Sequence, residues 1–149
     1  MDDEGPGGSP LSELPAARRP LDEVIELRLP ADTDQIPLVR MLAQAVAARS
    51  DYGLDAIADV QMAVDEACAQ LVGAAEPGAT MACRFRTGVA GVHLTVETRT
   101  RHAQPPGEHT FGWHVLSTLA RSVAAQCLPE AGGGYLLCLD LDLSPETTW

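Results

Sequence analysis

Leu54 to Ala75 reads LDAIADVQMAVDEACAQLVGAA, and the rest of the chain is organised around it. Ile57, Val60, Val64, Ala67 with Cys68, Leu71 and Ala75 recur at helical spacing and make one apolar stripe. Asp59, Ala63, Glu66 and Gln70 fall on a different face, because residues four apart lie one turn above each other. The spacing predicts a helix that holds a carboxylate and a carboxamide side by side. A carboxylate can take a proton from water or a hydroxyl, and an amide oxygen can help hold a metal ion. On this stretch alone two readings stay open: the polar surface of a packing helix, or one wall of a site.

Working outward toward the N-terminus, Asp32 or Thr33 can cap an earlier helix. Asp34 sits in its first turn, and Pro37 is early enough to be tolerated. This helix is expected to run to about Arg49 with Leu38, Leu42, Ala45 and Val46 inward, and Ser50 to Gly53 connects it to the central one. Before it, Ile25, Leu27 and Leu29 alternate with Glu26 and Arg28, the pattern of a half-buried strand that Pro30 ends. Residues 1 to about 19 are acidic and rich in Pro and Gly, which predicts a disordered tail and leaves 20–145 as one folded domain.

Beyond the central helix, Ala74 to Ala79 (AAEPGA) breaks the chain. Met81, Cys83 and Phe85 then alternate with Ala82, Arg84 and Arg86. Val92, Leu94 and Val96 alternate with His93, Thr95 and Glu97, so GVAG between them reads as a hairpin turn. Arg99 to His109 is a polar loop. Thr110 to about Cys127 returns to helical spacing through Phe111, Val115, Leu119 and Val123. Gly132 to Gly134 leads into a last strand, Tyr135 to Leu143, with Leu137, Leu139 and Leu141 on one face and Asp140 and Asp142 on the other. The order is strand, helix, helix, strand, strand, loop, helix, strand, which predicts an α+β two-layer sandwich and not a doubly wound sheet.

A chain of 149 residues, 46% hydrophobic and 21% charged, fits one globular domain with a proper core. The apolar runs are too short to span a membrane and the acidic N-terminus is no signal peptide, so a cytoplasmic protein is expected. The formal charge is −11, and all ten bases are Arg; the chain has neither Lys nor Asn. Without Lys there is no lysine Schiff base and no P-loop. Strong acidity argues against direct nucleic-acid binding and favours a basic protein partner or simple solubility. Cys68, Cys83, Cys127 and Cys138 are scattered without metal-ligand spacing, which predicts reduced thiols, with Cys68, Cys83 and Cys138 in the core. Cys127, near the end of the third expected helix, reads as the exposed one. Asp59 and Asp65 read as solvated helix charges, and His114 as a packing histidine.

The order of elements, with AVDEACAQLV after a short helix and TFGWHVLSTLA after a long loop, resembles the GHKL (Bergerat) ATPase fold. More narrowly it resembles the RsbW/SpoIIAB anti-sigma factors, which are also serine protein kinases, and within them the mycobacterial anti-sigma-F type. DAIADVQMAVDEACAQL and FGWHVLSTLA carry the narrower likeness, which covers roughly residues 21–143. The resemblance implies a mixed, mostly antiparallel sheet covered on one face by three helices. It implies a homodimer that sequesters an alternative sigma factor of the sigma-F/sigma-B type and is released by an anti-anti-sigma partner. ATP and magnesium are the implied cofactors.

The family's boxes match unevenly. Its N-box, Glu-x-x-x-Asn on the second helix, supplies a base and a magnesium ligand. Glu66 matches the base, while Gln70 replaces the Asn, and the extra methylene moves the amide oxygen by about 1–1.5 Å. The adenine-reading box, Asp-x-Gly-x-Gly, becomes Glu97-Thr98-Arg99-Thr100-Arg101, so Glu97 is the candidate acid and both glycines are gone. Arg99 and Arg101 would crowd an adenine but could meet phosphate. The Gly-x-Gly box at the third helix start, whose backbone N–H groups face phosphate, becomes Thr110-Phe111-Gly112. Gly133 and Gly134 survive in the last turn, followed by Tyr135 where the family favours Thr. Glu66 is thus the candidate base, Gln70 the candidate magnesium ligand, and Glu97, Gly112, Gly133 and Gly134 the remains of a degenerate ATP site. Arg40 on the first helix aligns with a partner-contacting arginine of the sporulation relative.

Overall fold

The structure is a computed structural model that describes residues 23–145. The expected N-terminal tail lies outside the described residues. Strand β1 (Val24–Pro30) is followed by a 3-10 turn (Thr33–Gln35), helix α1 (Ile36–Arg49) and helix α2 (Leu54–Ala74). Strands β2 (Thr80–Gly88) and β3 (Gly91–Thr100) form a hairpin; helix α3 (Phe111–Leu119), β4 (Ser122–Pro129) and β5 (Tyr135–Asp142) complete the chain.

The five strands form one sheet in the order β1-β2-β3-β5-β4, and every pairing is antiparallel. Side chains of a strand point to alternate faces, so each strand sorts its own residues. Met81, Cys83 and Phe85, then Leu94 and Val96, then Leu139 and Leu141, are fully buried against the helices. Glu26, Arg84, His93, Thr95, Glu97, Asp140 and Asp142 fall on the opposite, polar face. The sandwich is therefore an α+β fold with helices on one face only.

Helix α2 buries Val60, Ala63, Val64, Ala67, Cys68 and Leu71. Ala63 is buried although it shares the turn spacing of Glu66 and Gln70, because the apolar stripe is wide enough to include it. Asp32 caps the 3-10 turn, its carboxylate accepting from Asp34 N at 3.0 Å, and Pro37 sits in the first turn of α1. Helix α1 is rotated from the expectation. Its inward residues are Ile36, Val39, Ala43, Val46 and Ala47, while Leu38 is 50% exposed and Ala45 is exposed. Nearly every face of IPLVRMLAQAVAAR is apolar, so spacing alone leaves its rotation undetermined.

The expected Thr110–Cys127 helix is corrected to a nine-residue helix and a strand. Thr110 caps α3, its hydroxyl accepting from Trp113 N at 3.1 Å, and Ala120 turns extended at φ −110°, ψ 151°. From Ser122 the chain pairs with β5 through eight consecutive residues. The Phe111–Val115–Leu119–Val123 series misleads because four is also a multiple of the strand period of two. Cys127 is consequently a half-buried strand residue. Cys68, Cys83 and Cys138 are buried, but Cys138 lies on the polar face beside Glu97. Burial first, and then the Glu97 carboxylate, push the Cys138 thiol up to about 11.

Candidate functional site

The second and third helices meet at one polar point. Glu66 and Gln70 lie one turn apart on α2, and the Gln70 amide donates to Glu66 Oε2 at 3.1 Å. The first turn of α3 rests directly on this pair. A Cβ at Gly112 would stand 2.3 Å from Glu66 Oε2 and 2.5 Å from Gln70 Nε2, so only glycine fits without displacing them. Three of the expected site residues, Glu66, Gln70 and Gly112, are thus brought together. Phe111, next to them, is 81% exposed and packs nothing inward.

The remaining expected residues lie elsewhere. Glu97 is on the far face of the sheet, where Arg84 grips its two carboxylate oxygens at 2.8 and 2.7 Å. Hydrogen bonding to Glu97, and then its charge, raises the pKa of the Arg84 guanidinium above its ordinary value. A group reading a base bound against α2 must come from the helix side of β3, and at this point of the strand that residue is Thr98. Thr98 is 1% exposed and donates its hydroxyl to Thr80 O at 2.9 Å. The signal was present in the sequence: Val92, Leu94 and Val96 face the core, and parity carries that face to Thr98, not Glu97.

Arg99 is not a free phosphate ligand. Its guanidinium donates to Glu76 at 3.1 Å, to Glu130, and to Gly133 O at 3.0 Å. The Glu76 hydrogen bond is the main cause of its raised pKa. Gly133 and Gly134, at φ 94° and 74°, turn the β4–β5 hairpin beside this clamp, a conformation that favours glycine whatever binds nearby. Arg101 is exposed and lines a shallow depression of about 520 Å³ with Ala74, His102 and Pro105. Arg40 bridges α1 to α2 by donating to Asp65 Oδ1 at 2.8 Å, so Asp65 is a paired residue and not merely a solvated one.

Whether these residues fit a magnesium nucleotide is tested by one atom. Gln70 Oε1 is buried and accepts no hydrogen bond, which marks a place where a donor, water or cation would be stabilising. Magnesium bound with a nucleotide needs only one or two protein oxygens, so the phosphate end is partly provided for. The adenine end is not: Glu97 faces away, Thr98 is spent on Thr80, and Arg99 and Arg101 stand at the positions of the two lost glycines. The residues do not fit a complete magnesium nucleotide.

Residues 29–134 match the family model described as the histidine kinase-like ATPase domain. The chain is 34% identical over 122 residues to the anti-sigma-F factor RsbW of Mycobacterium tuberculosis, in strains CDC 1551 and H37Rv alike. That match covers 79% of this chain and 71% of the relative. The chain belongs to the RsbW branch of the histidine kinase-like ATPase family. A shorter match, 38% identical over 64 residues, links it to the serine-protein kinase RsbW of Halalkalibacterium halodurans, covering 42% of this chain and 40% of that one. Within this RsbW-type domain the packing of α3 on α2 brings Glu66, Gln70 and Gly112 together, while the sheet's own register withdraws Glu97 from them. No described helix is long and apolar enough to cross a membrane.

Proposed function

We propose that the chain is an anti-sigma factor: a cytoplasmic homodimer that sequesters an alternative sigma factor of the sigma-F/sigma-B type and is released by an anti-anti-sigma partner, with a degenerate nucleotide site. The observation that carries this reading is the 34% identity to the anti-sigma-F factor RsbW across 79% of the chain. The outward placement of Glu97 supports the degenerate site, since it leaves base recognition without an acid on the helix side. Leu38 and Met41, 50% and 65% exposed on the outer side of α1 beside Arg40, offer apolar contact area for a protein partner. Affinity capture of the cognate sigma factor at low salt tests the reading. A retained stoichiometric complex supports it, and no complex defeats it.

A second reading is a serine protein kinase acting on the anti-anti-sigma partner. It is favoured by the unpartnered Gln70 Oε1 beside Glu66 and by the relatives named serine-protein kinase RsbW. Calorimetry with ATP and magnesium separates the two. Micromolar binding abolished by Glu66→Ala selects the kinase, and no measurable heat selects the degenerate site.

A further inference from the structure

The two helices that meet at Glu66 and Gly112 also enclose a cavity at their opposite ends. It lies between the start of α2, the end of α3 and the segment that follows β5, and has a volume of about 330 Å³. Asp59, on its wall, stands seven residues before Glu66, about 10 Å along the helix, so this cavity is separate from the Glu66–Gln70 site. The apolar wall is made by Val60 and Leu143, both buried, with Leu119 half-buried beside them. Two polar groups of the lining are already engaged. The Tyr52 hydroxyl donates to Leu143 O at 2.8 Å, and the Thr118 hydroxyl donates to His114 O at 2.9 Å.

Asp59 and Arg121 are not engaged. Both are exposed and line the cavity, yet they do not pair with each other, and neither side chain makes a hydrogen bond or ion pair among the described residues. Arg28, Arg40, Arg49, Arg84 and Arg99, by contrast, are each held by a carboxylate. Arg121 acts on the Asp142 carboxyl only through space. We infer that this cavity binds a small zwitterion, an α-amino acid with an apolar side chain. Its ammonium meets Asp59, its carboxylate meets Arg121, and its side chain covers Val60 and Leu143. A ligand with one charge answers only one of the two groups; a zwitterion answers both. A guanidinium matches the two oxygens of a carboxylate, which favours a carboxylate at the Arg121 end. The volume is at the low end of small-molecule sites, about 300–1,000 Å³, and suits a ligand of about ten non-hydrogen atoms. The bound ligand ties the start of α2 to the end of α3, so the helix pair is held at both ends.

The test titrates the full, isotope-labelled chain with L-leucine and follows amide chemical shifts by NMR. Shifts are expected at residues 56–60 and 118–121, with a Kd of about 1 mM. Isoamylamine and isocaproate each keep one charge of leucine, and each is expected to bind about tenfold more weakly. Asp59→Asn should weaken leucine about tenfold and leave isocaproate unchanged, while Arg121→Gln should weaken leucine as much and leave isoamylamine unchanged. Both substituted residues are exposed, so circular dichroism should be unaltered. The analogue comparison uses the unaltered chain and decides the matter even where a variant folds poorly. Absence of shifts at these amides with about 10 mM leucine overturns the inference, and so does equal binding of leucine and its one-charge analogues.

Discussion

Glu66, Gln70 and Gly112 form a contact in which each residue limits the others. The Gln70 amide holds one carboxylate oxygen of Glu66, and Gly112 closes over both groups. Alanine is worth up to about 1 kcal/mol more than glycine inside a helix, but here its methyl group must push the carboxylate aside, at about 1–3 kcal/mol. Gly112→Ala is therefore expected to destabilise the protein by about 1 kcal/mol. In a Glu66→Ala background the same substitution should be neutral or stabilising. Urea denaturation of the four proteins measures this coupling, and additive effects would refute the contact. The adjacency of Glu66 and Gln70 was legible in the sequence, since four-residue spacing needs no tertiary information. Their contact with Gly112 was not, because the 41 residues between Gln70 and Gly112 must fold before α3 reaches α2. Glu97 was misplaced for a simpler reason: one position along a strand exchanges the two faces of the sheet.

At the level of elements, the short connectors do as much as the helices to fix the layers. Tyr52, between α1 and α2, is buried; its hydroxyl donates to Leu143 O at 2.8 Å and accepts from Val92 N at 2.9 Å. One hydroxyl thus joins the helix connector to the start of β3 and the end of β5. Tyr52→Phe leaves a buried donor and a buried acceptor without partners, and should cost about 2 kcal/mol in chemical denaturation. A loss below about 0.5 kcal/mol would mean that water replaces the hydroxyl. Strand β3 was legible because it alternates from Val92 to Arg99, and β2 and β5 because they alternate over Cys83–Arg86 and Leu139–Asp142. The boundary between α3 and β4 was not, because apolar residues four apart satisfy helix and strand alike. The rotation of α1 was equally hidden, since its outer residues Leu38 and Met41 are as apolar as its inner ones.

For the whole molecule, the polar sheet face and the acidic charge govern how stability responds to pH. Burial pushes the Asp142 carboxyl up, but hydrogen bonds from Ser144, with the charges of His93 and Arg121, outweigh it and hold the pKa below its ordinary value of 3.8. A depressed carboxyl contributes stability that is fully present above the unfolded value and is lost as pH falls through the folded one. Thermal unfolding should thus be insensitive to Asp142 titration from neutral pH to about pH 5, then fall more steeply below pH 4 than in Asp142→Asn. Parallel acid limbs would contradict this. The α+β class and the single helix-covered face were legible from element order, and the far-face placement of Glu97 followed from the parity of β3, which the sheet register bears out. The central claim is that this RsbW-type scaffold holds its sigma factor without depending on nucleotide. The most direct test is the Kd of the purified chain for its cognate sigma factor, measured by calorimetry with and without saturating ATP and magnesium. The predicted result is tight binding with the same Kd in both conditions; binding that appears or strengthens more than tenfold only with nucleotide would contradict it.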